Sequence, residues 1–161
     1  MSDRDTIKDV LRLFSYGLYV ASAIGPDGPR AATVSWVTQA SFEPRLIAVA
    51  MRKGTAICEA VAASRRFALA VVTEDQADFA KAFFRAGPAG PDAIGGYRFS
   101  LSANGLPIFD AASAWLECEV AEEANAQGDH TIFICRVVGG GQREPALPAL
   151  ALRDTAWHYG G

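Results

Sequence analysis

Gly128-Asp129-His130-Thr131-Ile132-Phe133-Ile134 joins a tight polar turn to a strand that is apolar on both faces. The turn carries one of the chain's two histidines. Histidine is the side chain best suited to carry or place a proton near neutral pH. A buried strand rooted behind it would hold its ring in place, which site geometry requires.

Outward from that turn the pattern is mostly β. Ser15–Ala23 reads as a strand rich in Tyr and Val, and Gly25-Pro26-Asp27-Gly28-Pro29 predicts a hairpin turn. Ala32, Val34 and Trp36 alternate with Thr33 and Ser35, a strand with one apolar and one polar face. Leu46–Met51 and Phe67–Val72 are apolar runs, as in buried strands. Trp115–Val120 alternates, and Thr131–Val138 is the last clear strand, with Gly139-Gly140-Gly141 expected to break it. Three helices are predicted. Ile7, Val10, Leu11 and Phe14 recur at helical spacing, and Thr55 caps a helix over Ala56–Ala63. Thr73 and Gln76 have capping-box spacing for a helix from about Glu74 to Phe84. Arg85–Ser102 holds Gly87-Pro88, Gly90-Pro91 and Gly95-Gly96 and is expected to be a long loop. The strands mostly follow one another without a crossover helix. That favours an antiparallel sheet, closed as a barrel, over a parallel α/β fold.

Composition narrows the function. The chain has 161 residues, enough for one domain spanning residues 1–161, and half of them are hydrophobic. A net charge of −3 gives no basic surplus for nucleic acid. No apolar run approaches the roughly 20 residues of a membrane helix. The charged start, Met1-Ser2-Asp3-Arg4-Asp5, is unlike a signal peptide. Cys58, Cys118 and Cys135 are odd in number, far apart and set in apolar segments, so neither disulfides nor a metal site is favoured. A cytoplasmic protein with buried, reduced thiols is expected. No G-x-G-x-x-G follows a strand and no Walker lysine loop occurs, so a nucleotide cofactor would not bind by a Rossmann route.

Four further segments bear on chemistry. Thr33-Val34-Ser35-Trp36-Val37-Thr38-Gln39-Ala40-Ser41 lines hydroxyls and an amide along one polar face, which also suits a plain solvent-facing strand. Arg52-Lys53-Gly54-Thr55 places two cations, a glycine and a hydroxyl at a helix start. Free backbone N–H groups and the helix dipole favour an anion there, although a polar turn with a threonine cap has the same signature. Phe83-Phe84-Arg85 reads as a core aromatic, a second aromatic and a cation that either lies on the surface or reaches a phosphate. Phe14-Ser15-Tyr16-Gly17-Leu18-Tyr19-Val20 sets a glycine between tyrosines, a sign of close backbone approach or of a bulge.

Together these segments resemble the flavin reductase-like FMN-binding split barrels. Gly128–Ile134 resembles the family's GDHT-(I/L)-F-I strand. Thr33, Ser35, Ser41 and Pro44 fall in register with its T-x-(S/N)-x-x-x-S-V-S-x-x-P pattern. Phe14–Val20 is similar to the opening of the flavoredoxin-like branch. Departures are Ala31 for a glycine, Gln39 for a serine, Cys135 and Arg136 for Gly and Glu, and Phe84 and Arg85 for small residues. The likeness runs from about residue 8 to about residue 140 and fades beyond Gly141.

The resemblance implies a six-stranded antiparallel split barrel with flanking helices, forming a homodimer with one FMN per subunit. It implies FMN contacts along Thr33–Ser41, at Arg52, Lys53, Gly54 and Thr55, and around Phe84 and Arg85. His130 would face the nicotinamide side as the catalytic residue, with Asp129 capping the turn and leaving the imidazole pointing outward; the residues alone also suit Asp129 capping the turn and bonding His130 purely for structure. The implied activity is hydride transfer from NADH or NADPH to flavin, then electron delivery to free flavin or a redox protein. Two alternatives stand beside it: an FMN electron carrier without nicotinamide chemistry, and a barrel that binds a ligand without redox chemistry.

Overall fold

The computed structural model describes residues 3–85, 87, 89–143 and 147–160. Its helices are α1 (Asp3–Arg12), α2 (Ala56–Ser64) and α3 (Ala77–Ala82). The first five strands are β1 (Tyr19–Gly25), β2 (Gly28–Val34), β3 (Val37–Ser41), β4 (Leu46–Arg52) and β5 (Arg66–Val71). Then come β6 (Ala93–Ile94), β7 (Tyr97–Leu101), β8 (Pro107–Phe109), β9 (Ala114–Ala124) and β10 (His130–Gln142). Seven strands make one sheet in the order β2-β1-β5-β9-β10-β4-β3, with every neighbouring pair antiparallel. β6, β7 and β8 form a second, small sheet.

The two edges of the large sheet are consecutive in the chain. β2 ends at Val34 and β3 begins at Val37. One run therefore pairs with β1 at its start and with β4 at its end, bending at Ser35-Trp36. This draws the ends of the sheet together, although β2 and β3 do not pair with each other. Two cores result. One lies beneath α2 and packs Ile57 and Val61 against Val49, Met51, Phe67 and Phe133. The other gathers Phe79, Phe83, Ile94, Phe99 and Phe109 around α3 and the small sheet.

Four expectations are corrected. The chain has ten strands among the described residues, against about six read from the pattern. Much of the excess comes from Arg85–Ser102, expected as a loop, which contains β6 and β7. Gly95 and Gly96 take φ of 57° and 83°, the left-handed pair a tight two-residue hairpin requires. Their flanks, Ile94 and Tyr97, pack into and against the second core. α3 starts at Ala77 rather than near Glu74. Gln76 Oε1 accepts from the Thr73 N–H at 3.3 Å, but the Thr73 hydroxyl donates to Asp75 Oδ1 at 2.6 Å, so the box ties a turn ahead of the helix. Finally, β10 runs straight through Gly139-Gly140-Gly141 to Gln142. A Cβ at Gly140 would lie 2.6 Å from the Trp115 carbonyl oxygen, and one at Gly141 would lie 2.4 Å from the Trp115 ring. These glycines admit Trp115 across the ladder, where it pairs with Gly141, and do not end the strand.

β10 is central, between β4 and β9, and this roots the turn before it. Phe133 and Cys135 are fully buried on one face, whereas Ile132 and Ile134 on the other are only half-buried. The strand is thus less enclosed than its apolar sequence suggests.

Candidate functional site

A cleft of about 290 Å³ opens among β2, the β4–α2 turn, the end of α3 and the C-terminal segment. That volume lies near the lower bound for small-molecule pockets. Leu18, Val34, Met51, Ile57, Phe83 and Leu152 supply apolar wall, and Phe84 and Trp157 meet edge to face at 4.8 Å beside it. Thr33, Ser35, Arg52, Thr55, His158 and Tyr159 add polar groups.

The β4–α2 turn separates its two cations. Arg52 is the last residue of β4, and Lys53 is the first of the turn. Arg52 lines the cleft, and its guanidinium makes no side-chain hydrogen bond or ion pair with another described residue, while its carbonyl accepts from the Thr55 hydroxyl. Lys53 lies outside the lining. Its Nζ donates to the carbonyls of Asn125, Ala126 and Gly128 at 2.9, 3.1 and 2.6 Å, which pins the β9–β10 turn. Thr55 is the N-cap of α2 as expected, accepting from the Cys58 N–H. Of the four residues expected to hold an anion, Arg52 and Thr55 line the cleft beside the start of α2 and Lys53 does not, and the Thr55 hydroxyl donates to the Arg52 carbonyl at 2.7 Å.

The Thr33–Ser41 run is divided in the same way. Thr33, Val34 and Ser35 line the cleft. Beyond the bend, Thr38, Gln39 and Ala40 are exposed on an edge strand, and Gln39 turns its amide back to the Ser41 carbonyl. Val37, Ser41 and Gly54 also fall outside the lining, and Arg85 is exposed beyond it. Trp36 sits at the bend, its ring 4.5 Å from that of His130. Its Nε1–H is buried with no acceptor among the described residues. A buried donor left unpaired costs about 1–3 kcal/mol, and Trp36 itself falls outside the cleft lining.

His130 is buried, and both ring nitrogens are engaged. Nδ1 lies 2.7 Å from Asp129 Oδ1, and Nε2 lies 2.6 Å from the Tyr159 hydroxyl. The expectation of a free, outward imidazole is therefore corrected: Asp129 bonds the ring, as the structural alternative had it, and the C-terminal segment closes its other side. The hydrogen bond from His130 is the largest cause that holds the Asp129 carboxyl below the usual range. Burial pushes the Tyr159 phenol up, with Asp129 adding to the effect and Arg52 opposing it.

Trp157, His158 and Tyr159 were missed as site residues because their role depends on a long-range return of the chain. Leu152 N–H donates to the Tyr16 carbonyl at 2.9 Å and Leu150 N–H to that of Val72 at 2.9 Å, which docks the segment. Gly160 then passes against Trp36, where a Cβ would lie 2.6 Å from the ring. The available signal was the cluster Trp157-His158-Tyr159-Gly160-Gly161 in an otherwise Ala- and Pro-rich tail.

With this geometry in view, comparison with known proteins assigns the chain to a family. Residues 11–160 match the flavin reductase like domain, and the chain belongs to that family. The match takes in the C-terminal segment, where the sequence likeness had faded. The chain is 36% identical over 139 residues to diflavin flavoprotein A 1 of Synechocystis sp., covering 86% of this chain and 24% of that one. Thus the chain spans about a quarter of the length of that relative. Among solved structures it resembles the NADH:FAD oxidoreductase of Streptomyces globisporus, with TM-score 0.80 and 27% identity over 92% of this chain and 87% of that one. It also resembles the styrene monooxygenase flavin reductase of Pseudomonas putida S12, with TM-score 0.71 and 34% identity over 84% and 86% of the two chains.

Proposed function

We propose that this chain is an NAD(P)H:flavin oxidoreductase that holds FMN in the cleft and passes electrons to free flavin or to a partner enzyme. The observation that carries this reading is the mixture of groups in and around one cleft. Apolar walls meet a cation and a capped helix start at Arg52 and Thr55, and Arg52 pairs across the ladder with His130 of the Trp36–His130–Tyr159 cluster. A phosphorylated, flat, polar-edged ring system fits that arrangement. Arg52 and the first N–H groups of α2 would bind the phosphate. The apolar walls would take the ring faces. When bound, the flavin supplies the electron-accepting chemistry, and the chain orients it and excludes water.

FMN is favoured over a dinucleotide because one anion cradle suits one phosphate and the chain has no glycine-rich pyrophosphate loop. Counting the bent β2–β3 run as one strand leaves six in the circuit, which supports the split-barrel description. A homodimer is part of the proposal. Ile7, Val10, Leu13 and Phe14 stand exposed on or just after α1, an apolar surface that a second subunit would cover. No helix among the described residues is long and apolar enough to cross a membrane. The three buried free thiols suit a reducing compartment such as the cytoplasm.

The relatives' printed names support the activity: one is an NADH:FAD oxidoreductase, and another is the flavin reductase of a monooxygenase. One observation favours a second reading, an electron carrier that never meets nicotinamide. The C-terminal segment lies over His130, on the side where a donor was expected to approach. Titration with FMN followed by stopped-flow mixing with NADH and NADPH separates the readings. Uptake of FMN and its bleaching by either nucleotide is expected. Uptake without bleaching establishes the carrier, and no uptake removes the flavin reading.

A further inference from the structure

We propose that Tyr159, rather than His130, presents the hydrogen-bonding group to the occupant of the cleft, with Asp129 and His130 orienting it from behind. Three observations carry this. Tyr159 lines the cleft, whereas His130 stands behind it with its Nε2 covered by the tyrosine hydroxyl. Both His130 nitrogens are engaged, so the imidazole has no free nitrogen for a ligand. The direction of the bonds follows from chemistry. We take the ring as neutral: a carboxylate only accepts, so Asp129 then takes the single ring proton, on Nδ1. Nε2 is then an acceptor, and the Tyr159 hydroxyl donates to it. With its proton committed to His130, the phenol oxygen turns lone pairs to the cleft.

The cleft therefore offers an acceptor at this point, and its ligand must bring an N–H. Resting on the proposed function, two groups have that chemistry: the carboxamide of a nicotinamide and the imide N–H of the flavin ring. The ring contacts fix the phenol's aim. Tyr159 meets Trp36 edge-on at 5.2 Å and His130 edge-on at 5.8 Å, and Gly160 passes closely over Trp36. Tyr159 sits 29 residues along the chain from His130, so this acceptor exists only when the C-terminal segment is docked.

Tyr159→Phe keeps the ring and removes the hydroxyl, and the test has two arms. In the protein alone, imidazole nitrogen NMR should show Nδ1 protonated and Nε2 unprotonated. The Nε2 resonance should move in Tyr159→Phe as its donor is lost. In the second arm, FMN and then NAD⁺ are titrated into wild type and variant. One of the two dissociation constants should weaken about tenfold, as expected for one lost hydrogen bond, and the affected ligand identifies the N–H donor. An unmoved Nε2 resonance, or two unchanged dissociation constants, overturns the inference. Failure of the functional reading shows separately, as wild-type protein that takes up no FMN.

Discussion

The two sides of His130 are held by different kinds of structure. On one side stands the β9–β10 hairpin with β4, where backbone ladders continue for 7 residue pairs from His130↔Arg52 to Arg136↔Leu46. Lys53 clamps the turn from outside, and the Lys53 N–H donates to the Asp129 carbonyl at 2.9 Å. On the other side is the segment Trp157–Gly160. Its docking ladder is reduced to isolated bridges, Gly17↔Ala151 and Thr73↔Ala149, and beyond Thr155 it is held by packed rings and the tyrosine bond. A strand paired on both sides is lost only when the sheet is lost, whereas a segment held by a few side chains can leave at small cost. The cleft is thus assembled from one stiff wall and one that is separable.

Core truncation tests that contrast most severely. Phe133→Ala empties a fully buried site and should cost about 3–5 kcal/mol in urea unfolding. Trp157→Ala, on the separable side, should cost about 1 kcal/mol or less. Equal losses would mean that the C-terminal segment is as integral as β10, and the contrast would fail.

The adjacent cations give a finer test. Lys53→Ala should lower stability by about 1–2 kcal/mol by releasing three carbonyls, discounted for the exposure of the ammonium. It should leave FMN affinity nearly unchanged. Arg52→Ala should do the reverse, weakening FMN binding about tenfold while stability stays within about 0.5 kcal/mol. Paired unfolding and fluorescence titrations check both. A loss of FMN affinity in Lys53→Ala would return that lysine to the phosphate site.

The smallest effect concerns the stiff side alone. Burial raises the Cys118 thiol far above its ordinary value and pushes Cys135 up to about 12. A thiol raised in the fold ionises first in the unfolded chain. The stability it contributes is therefore complete below the ordinary thiol pKa and is lost as pH rises toward the folded value. Each thiol should lower stability by about half a kcal/mol between pH 7 and pH 9. The pH dependence should shrink in the Cys118→Ala, Cys135→Ala double variant, compared with its own value at pH 7. An unchanged slope would show that other groups set the alkaline limit.

Legibility in the sequence followed the range of the interactions. The strands at Leu46–Met51 and Phe67–Val72 are near-continuous apolar runs, and both fell close to their observed limits. Thr55 was readable as a cap because capping depends on three or four consecutive residues. The Thr73–Gln76 spacing misled because the Thr73 hydroxyl had a nearer partner in Asp75. Gly95-Gly96 and Gly139–Gly141 look alike as text. One pair makes a left-handed turn, and the triplet makes room for Trp115, a neighbour 26 residues before Gly141 in the chain.

The sequence by itself determined the antiparallel β architecture, the cap of α2, the flavin reductase-like motifs and part of the cleft lining, at Thr33–Ser35, Arg52, Thr55 and Phe84. These follow from periodicity and from contacts within a few residues. Only the tertiary structure decided how those residues are used. The chain leaves β4 at Arg52, which lines the cleft, and turns at Lys53, whose ammonium reaches the β9–β10 turn. The bend at Ser35-Trp36 leaves Thr33–Ser35 in the cleft and carries Thr38–Ala40 out of it. The return of the C-terminal segment brings Tyr159 to His130 across 29 residues. No local pattern encodes such a pairing, because it depends on where the packed sheet places two distant pieces of chain.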